Sequence, residues 1–378
     1  MKKLLFIAPV FGMKPFVNDL SFELEKKDYQ IDILDHEEHK IINFNDGTYK
    51  KLPIYLAKLI PYSRSFFRLW LMKRVDKQYK KVYTALEGKY DVTLILFHFD
   101  KLNKYAEIIS KTSKKLVVSY AGSDFYNVPN FVKTENKQLL DKTDIIAFNN
   151  PYMKIDFINY YQKYKEKVKI TGFGIKYLKR INNIKEKEST EVSKKLLDIP
   201  TDKVIISVGY NRDRRHKQLD FLDKLSSIDK SLKEKVFVIF PMTYIKSPGY
   251  LEEVSLKAKT LNISHKIFKE RLSDDDICRI RIVPDITVHI STMDQSSASM
   301  LEHLYSGNVL ITGKWLPYDF WDDLGIYSHR ENDENIAATI EKTLKNLTKE
   351  KKKSEINKQI IYDKYVWKNR INKWFECL

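Results

Sequence analysis

Cysteine is nearly missing from this chain: Cys278 and Cys377 are the only two in 378 residues. Two cysteines cannot build a disulfide framework, and neither sits in a metal-type cluster. A cytoplasmic location is the expectation that follows. Glycine is scarce as well, with eleven residues, and none of them forms a G-x-G-x-x-G fingerprint or a P-loop, which argues against a dinucleotide cofactor or an NTPase. No apolar run reaches the roughly 18 residues of a membrane-spanning helix. The start, Met1–Gly12, superficially resembles a signal peptide. Its apolar run is short, no small-x-small site follows, and an amphipathic pattern comes next, so it reads as a buried strand and a glycine turn. There is no G-x-S-x-G, no Cys-His pairing and no H-E-x-x-H among eight scattered histidines, so no nucleophilic triad and no metal site is legible.

What the chain has in excess is positive charge, +17 from 67 Lys and Arg against 50 Asp and Glu. Nucleic acid, anionic lipid and phosphorylated substrates are the partners that such a balance fits. Zinc-finger, RNP and helix-turn-helix spacings are absent, so nucleic acid is not expected as a partner. The segment 56–74 mixes bulky apolar and basic residues at helical spacing. It is either a core helix with a basic outer face or an interfacial helix against an anionic membrane surface.

The length predicts two domains of about 150–200 residues. Short continuous apolar runs, from Leu4–Pro9 through Val309–Thr312, alternate with helix-length amphipathic segments. That alternation predicts α/β architecture with parallel sheets covered on both faces. The polar stretch Lys176–Ser193 breaks the pattern and reads as a linker. The expected division is therefore 1–176 and 194–356 joined by 177–193, with an amphipathic helix 357–378 closing the chain. Ligands of doubly wound sheets bind beyond the carboxyl ends of the strands. Gly12, Gly122, Gly172, Gly174 and Gly209 all follow strand candidates there.

Three clusters carry chemistry. Gly209-Tyr-Asn-Arg212-Asp-Arg214-Arg215-His-Lys217 follows a strand and opens a helix, where guanidinium forks, an ammonium and free N–H groups suit phosphate oxygens. Asp294 and Glu302, with seven residues between them, bracket the small-residue run Ser296, Ser297, Ala298, Ser299 at a helix mouth, a combination suited to hydroxyls and phosphates together. Thr243, Tyr244 and Arg271 end neighbouring strands and are candidates to line the same pocket. In the first half, Asp124 follows a strand and a glycine, and His98 and Asp100 end another strand; Asp124 and His98 are the candidates for a catalytic base.

In order and spacing these pieces resemble the GT-B glycosyltransferases, in particular the large family 4 of retaining enzymes. Asp294-x7-Glu302 followed by Leu304-Tyr-Ser306-Gly307 is similar to that family's E-x7-E and A-x-x-S-G, with Asp in place of the first Glu. The family's diphosphate-binding Arg and Lys match Arg212, or Arg214 and Arg215, and Lys217. Its interdomain G-x-D resembles Gly172-Phe-Gly174-Ile-Lys176, and its closing F-x-W resembles Tyr365-Val-Trp367. Its H-G-x-D resembles Ala121-Gly122-Ser123-Asp124, with the histidine replaced by alanine. The runs Tyr120–Tyr126, Pro241–Tyr244 and Tyr250–Val254 are also similar to the bacterial 4-acetamido-4,6-dideoxygalactose transferases, which are classed as inverting.

The resemblance implies two Rossmann-like doubly wound domains facing across a cleft, an N-terminal acceptor domain to which the C-terminal helix returns, and a C-terminal donor domain. It implies a metal-independent glycosyltransferase with no cofactor, moving a sugar from a nucleoside diphosphate sugar to a glycan or lipid-linked saccharide acceptor in bacterial surface polysaccharide assembly. The protein would work at the inner face of the cell membrane, with retention the first expectation and inversion the alternative. Gly12, Gly209, Arg212, Arg214, Arg215, Lys217, Thr243, Tyr244, Arg271, Ser296, Ser297, Ser299 and Glu302 would bind the donor, Glu302 through the ribose, and Asp294 would join Asp124 and His98 as a catalytic residue, holding the sugar hydroxyls. Competing readings are a GT-B-fold nucleotide-sugar epimerase and a non-enzymatic basic nucleic-acid-binding protein.

Overall fold

A computed structural model describes residues 1–8, 10–36, 39–52, 65–244 and 247–378; for residues 10–15 and 65–67 only the backbone is described. The chain divides into two compact units, Met1–Gly174 with Trp367–Leu378, and Ile175–Val366. Each is built on one sheet.

The first sheet contains β1 (Lys2–Ala8), β2 (Tyr29–Asp35), β3 (Lys40–Asn43), β4 (Tyr49–Lys51), β5 (Tyr90–Leu96), β6 (Ser113–Tyr120), β7 (Ile145–Phe148) and β8 (Val168–Ile170). Their order is β4-β3-β2-β1-β5-β6-β7-β8. All pairs are parallel except β2–β3 and β3–β4. The second sheet is parallel throughout and contains β9 (Val204–Val208), β10 (Val236–Pro241), β11 (His265–Phe268), β12 (Ile286–His289), β13 (Val309–Gly313) and β14 (His329–Glu331), in the order β11-β10-β9-β12-β13-β14. Continuous apolar runs such as Leu4–Ala8 are fully buried because helices cover both faces. The strand order reverses at β1/β5 in the first unit and at β9/β12 in the second, which opens a crevice at the carboxyl ends of those strands.

Several expectations need correction. Gly12 is not in a turn: it is the third residue of the helix Val10–Glu25. The presumed linker 177–193 is mostly helical, because Leu178, Ile181 and Ile184, spaced three apart among charged residues, form a buried stripe on the helix Leu178–Lys187. The helix packs against the helix Asp274–Ile282, to whose first turn Arg180 is bonded. The closing helix 357–378 is two helices, Ile356–Tyr365 in the second unit and Trp367–Phe375 in the first, separated by extended backbone at Val366. Trp367, Ile371 and Trp374 enter the core of the first unit. Trp367 fits because Gly174 has no side chain, since a Cβ there would lie 2.2 Å from the indole.

Of the segment 56–74, residues 56–64 lie outside the described residues. The remainder opens the helix Ser65–Ala85. Leu71, Val75, Tyr79, Val82 and Tyr83 form its buried stripe, while Leu69, Trp70 and Met72 are exposed.

Candidate functional site

In the second unit the chemistry-bearing residues gather at the carboxyl ends of β9 and β12. Gly209 follows β9 with φ +66°, and a Cβ there would lie 3.0 Å from both His216 Cβ and Gln218 Nε2, so only glycine lets the chain fold back so tightly. Asn211 Oδ1 accepts from Asp213 N, and Asp213 accepts from Arg215 N, which fixes a short 3-10 turn, Arg214–His216. Lys217 follows in the left-handed region, φ 52°. A non-glycine residue held there is strained and must be over-determined by its surroundings.

This geometry sorts the expected cations. Arg212 staples neighbouring loops, donating to the carbonyls of Met242 and Lys269. Arg214 forks onto Glu253 and lies over the Tyr250 ring. Of the four cations of this turn, Arg215 and Lys217 are the two that stay available among the described residues. Arg215 is 3.5 Å from Asp213 and Lys217 is 3.6 Å from Asp220, both loose contacts at partly exposed side chains. Lys217 Nζ also lies 5.6 Å from the centre of the Trp315 ring.

The loop after β12 is pinned along its length. Thr292 N donates to Arg215 O, Trp315 Nε1 to Ser291 O, and Trp321 Nε1 to Ser296 Oγ. Ser296 is left-handed, φ 69°. Ser297 and Ser299 sit at the mouth of the helix Ala298–Tyr305, and both hydroxyl oxygens are buried without a partner among the described residues.

Asp294 is turned inward. Its Oδ2 accepts from Tyr210 OH and contacts His289 Nε2, both at 3.0 Å, and its Oδ1 accepts from Ser297 N at 2.9 Å. Burial opposes its ionisation, but the hydrogen bond and electrostatic attraction of His289, with a hydrogen bond from Tyr210, hold its pKa down to about 2. Glu302 is inward too, 4 % exposed, and it pairs at 3.1 Å with Arg281, itself 7 % exposed. Arg281 Nη1 lies 3.3 Å from His303 Nε2, His303 contacts Asn308, and Asn308 donates back to Arg281 O. Neither carboxylate of the D-x7-E spacing is therefore presented to a sugar or ribose in this structure.

At the neighbouring strand ends, Tyr244 and Arg271 are exposed and Thr243 is half-buried. Sequence reading missed Trp315. Its indole lies against Gly313, where a Cβ would be 2.3 Å from the ring, yet it remains 40 % exposed. It also missed a column of rings in which Tyr210 stacks on His289, His289 on Tyr318, and Tyr318 on Trp321. His289 lies within the apolar strand candidate Ile286–Ile290, and a lone polar ring near the end of that run was the available signal.

In the first unit the catalytic candidates Asp124 and His98 are both enclosed. Asp124 is buried and accepts from the N–H groups of Gly122, His98 and Ala121. Burial raises its pKa to about 6 against the pull of those hydrogen bonds. His98 has both ring nitrogens engaged, by Tyr120 OH at 2.6 Å and Asn103 Oδ1 at 2.9 Å. Burial lowers its pKa to about 4, so it is neutral and packed. Asp124 ties the ends of β5 and β6 together through the N–H groups of His98 and Ala121.

No protein-family model matches the chain, and no curated protein sequence matches it. Among solved structures it is similar to Anabaena HepE in complex with UDP and glucose, with a TM-score of 0.70 at 13% identity over 100% of this chain and 99% of that one. It is similar to a glycosyltransferase from Rickettsia africae, TM-score 0.70 at 16% identity over 99% and 97%. A UDP-forming trehalose-phosphate synthase from Burkholderia xenovorans gives 0.73 at 12% over 100% and 98%. The likeness is one of fold: two parallel-sheet α/β domains of the GT-B type.

Proposed function

We propose that this GT-B chain transfers a sugar from a nucleoside diphosphate sugar to a glycan acceptor. The observation that carries the reading is the placement of Arg215 and Lys217, with Trp315 beside Lys217, at the strand ends where the order of the second sheet reverses. A diphosphate leaving group develops charge as the glycosidic bond breaks, and a guanidinium and an ammonium fixed at a strand end neutralise it without a divalent ion. HepE, a structural neighbour, was crystallised with UDP and with UDP-glucose. The enclosure of Asp124 and His98 supports retention, in which the leaving phosphate assists and no protein base is required.

Thermal-shift titration against UDP, GDP, TDP and CMP tests this. At least one should raise the melting temperature, and Lys217→Ala should remove most of that rise. In a transfer assay, chelator should leave the rate unchanged and the product should keep the donor's anomeric configuration. No stabilisation by any of the four nucleotides sinks the proposal.

The acceptor proposed is a lipid-linked saccharide of bacterial surface polysaccharide assembly, met at an anionic membrane. Among the described residues no helix is long and apolar enough to cross a membrane. Support comes from the helix Ser65–Ala85, where exposed Leu69, Trp70 and Met72 lie among exposed Arg68, Lys73, Arg74, Lys77, Lys80 and Lys81. Its one acid, Asp76, is taken by Lys104 and Tyr105. Such a face combines apolar burial with attraction to anionic headgroups. The chain should co-sediment with phosphatidylglycerol vesicles and be released by salt. Equal binding to neutral phosphatidylcholine vesicles, or unchanged binding of Leu69→Glu/Trp70→Glu, would count against it.

A further inference from the structure

The carboxylate that heads the D-x7-E spacing has no surface to offer a ligand: the Asp294 side chain is 3 % exposed. Three donors from three elements converge on it: Tyr210 just beyond β9, His289 at the end of β12, and the Ser297 N–H at the helix mouth. His289 is in turn held between the rings of Tyr210 and Tyr318. The same loop is bonded through Thr292 N to the carbonyl of Arg215, so its position and that of the Arg215–Lys217 turn are coupled. A left-handed Ser296 inside the loop persists only if the surrounding bonds over-determine it.

We propose that Asp294 and His289 form one positioning unit that holds residues 290–297, and through Thr292 the phosphate-facing cations, and that Asp294 does not touch the donor sugar. This rests on the nucleotide-sugar reading above and assigns a role to His289, which no motif marked. A sugar-contacting carboxylate would affect only the sugar part of the ligand. A positioning carboxylate affects everything its loop orders, the diphosphate included.

The test uses the full chain and two readouts. The first needs no ligand. Amide hydrogen exchange over residues 291–299 should rise about tenfold or more in Asp294→Ala and in His289→Ala. It should stay near wild type in His289→Gln, whose amide replaces the Nε2 donor. Asp294→Asn, which keeps the shape but turns a donor toward His289 and Tyr210, should resemble Asp294→Ala and serves if the alanine variant folds poorly. Unchanged exchange in these Asp294 variants overturns the proposal. The second readout compares UDP with UDP-glucose, or the equivalent pair for whichever nucleotide stabilises the wild type. Asp294→Asn and His289→Ala should weaken both members by the same factor, about tenfold, with His289→Gln again spared. A loss confined to the sugar nucleotide, or wild-type affinity in His289→Ala, overturns it. A wild type that binds no nucleotide refutes the donor-site reading instead, while the exchange result still decides the role of Asp294 and His289.

Discussion

Glu302→Ala should lower the stability of the second unit by about 3–5 kcal/mol, because it strands a buried guanidinium without its counter-charge. Arg281 is enclosed with Glu302 and is tied to His303 and Asn308 as well, so it has no exit to water that leaves this network intact. For a unit of this size the melting temperature should fall by roughly 10 °C. Glu302→Gln keeps an acceptor for the Arg281 Nε–H and should cost less. Arg281→Met with Glu302→Leu removes both charges and should recover much of the loss, since a buried pair is often replaceable by apolar groups of similar volume. Chemical denaturation followed by Trp fluorescence measures all three. Wild-type stability in Glu302→Ala would show that the pair does not hold the helices Asp274–Ile282 and Ala298–Tyr305 together. Loss of transfer in Glu302→Ala alone would therefore not identify a ribose ligand.

The second large effect is expected at Gly174. An added methyl lies 2.2 Å from the buried Trp367 indole, whereas at Gly313 it lies 2.3 Å from the indole of half-open Trp315. The two clashes are nearly equal, but the exits differ. Trp367 is walled in by the core of the first unit and can yield only by unpacking it. Gly174→Ala should therefore cost at least about 3 kcal/mol, the upper end for an overpacked core. Trp315 can swing outward, losing its bond to Ser291 O and its place beside Lys217. Gly313→Ala should cost about 1 kcal/mol of stability and show its main effect on nucleotide affinity. Equal melting temperatures for the two variants would refute this assignment of exits.

The strands were legible because a doubly wound sheet needs continuous apolar runs, and these stand out against a lysine-rich background. The β3–β4 extension was not legible, since its residues are half or fully exposed and its apolar pair Ile41–Ile42 is too short a run to mark a strand. The helix Leu178–Lys187 was hidden in a different way, its three buried residues outnumbered by charged neighbours. At the site, position could be read but direction could not. Asp294 and Glu302 were found as a spaced pair, yet what turns them inward is Tyr210, 84 residues away, and Arg281, 21 residues away. Arg214 and Arg215 are adjacent in the chain, and it is Glu253 that claims the first and leaves the second. Such choices are made by tertiary partners, which local pattern does not name.

The division of the chain between its units bears on how it is made. The second unit is one uninterrupted stretch, Ile175–Val366, whereas the first needs Trp367–Leu378 to complete its core. Domains ordinarily fold as units in the order in which they leave the ribosome. Here the half synthesised first cannot fill the seat of Trp367, Ile371 and Trp374 until the last segment, Trp367–Leu378, has been made. A released chain ending at Val366 should hold a protease-resistant second unit attached to a first unit that is still being digested.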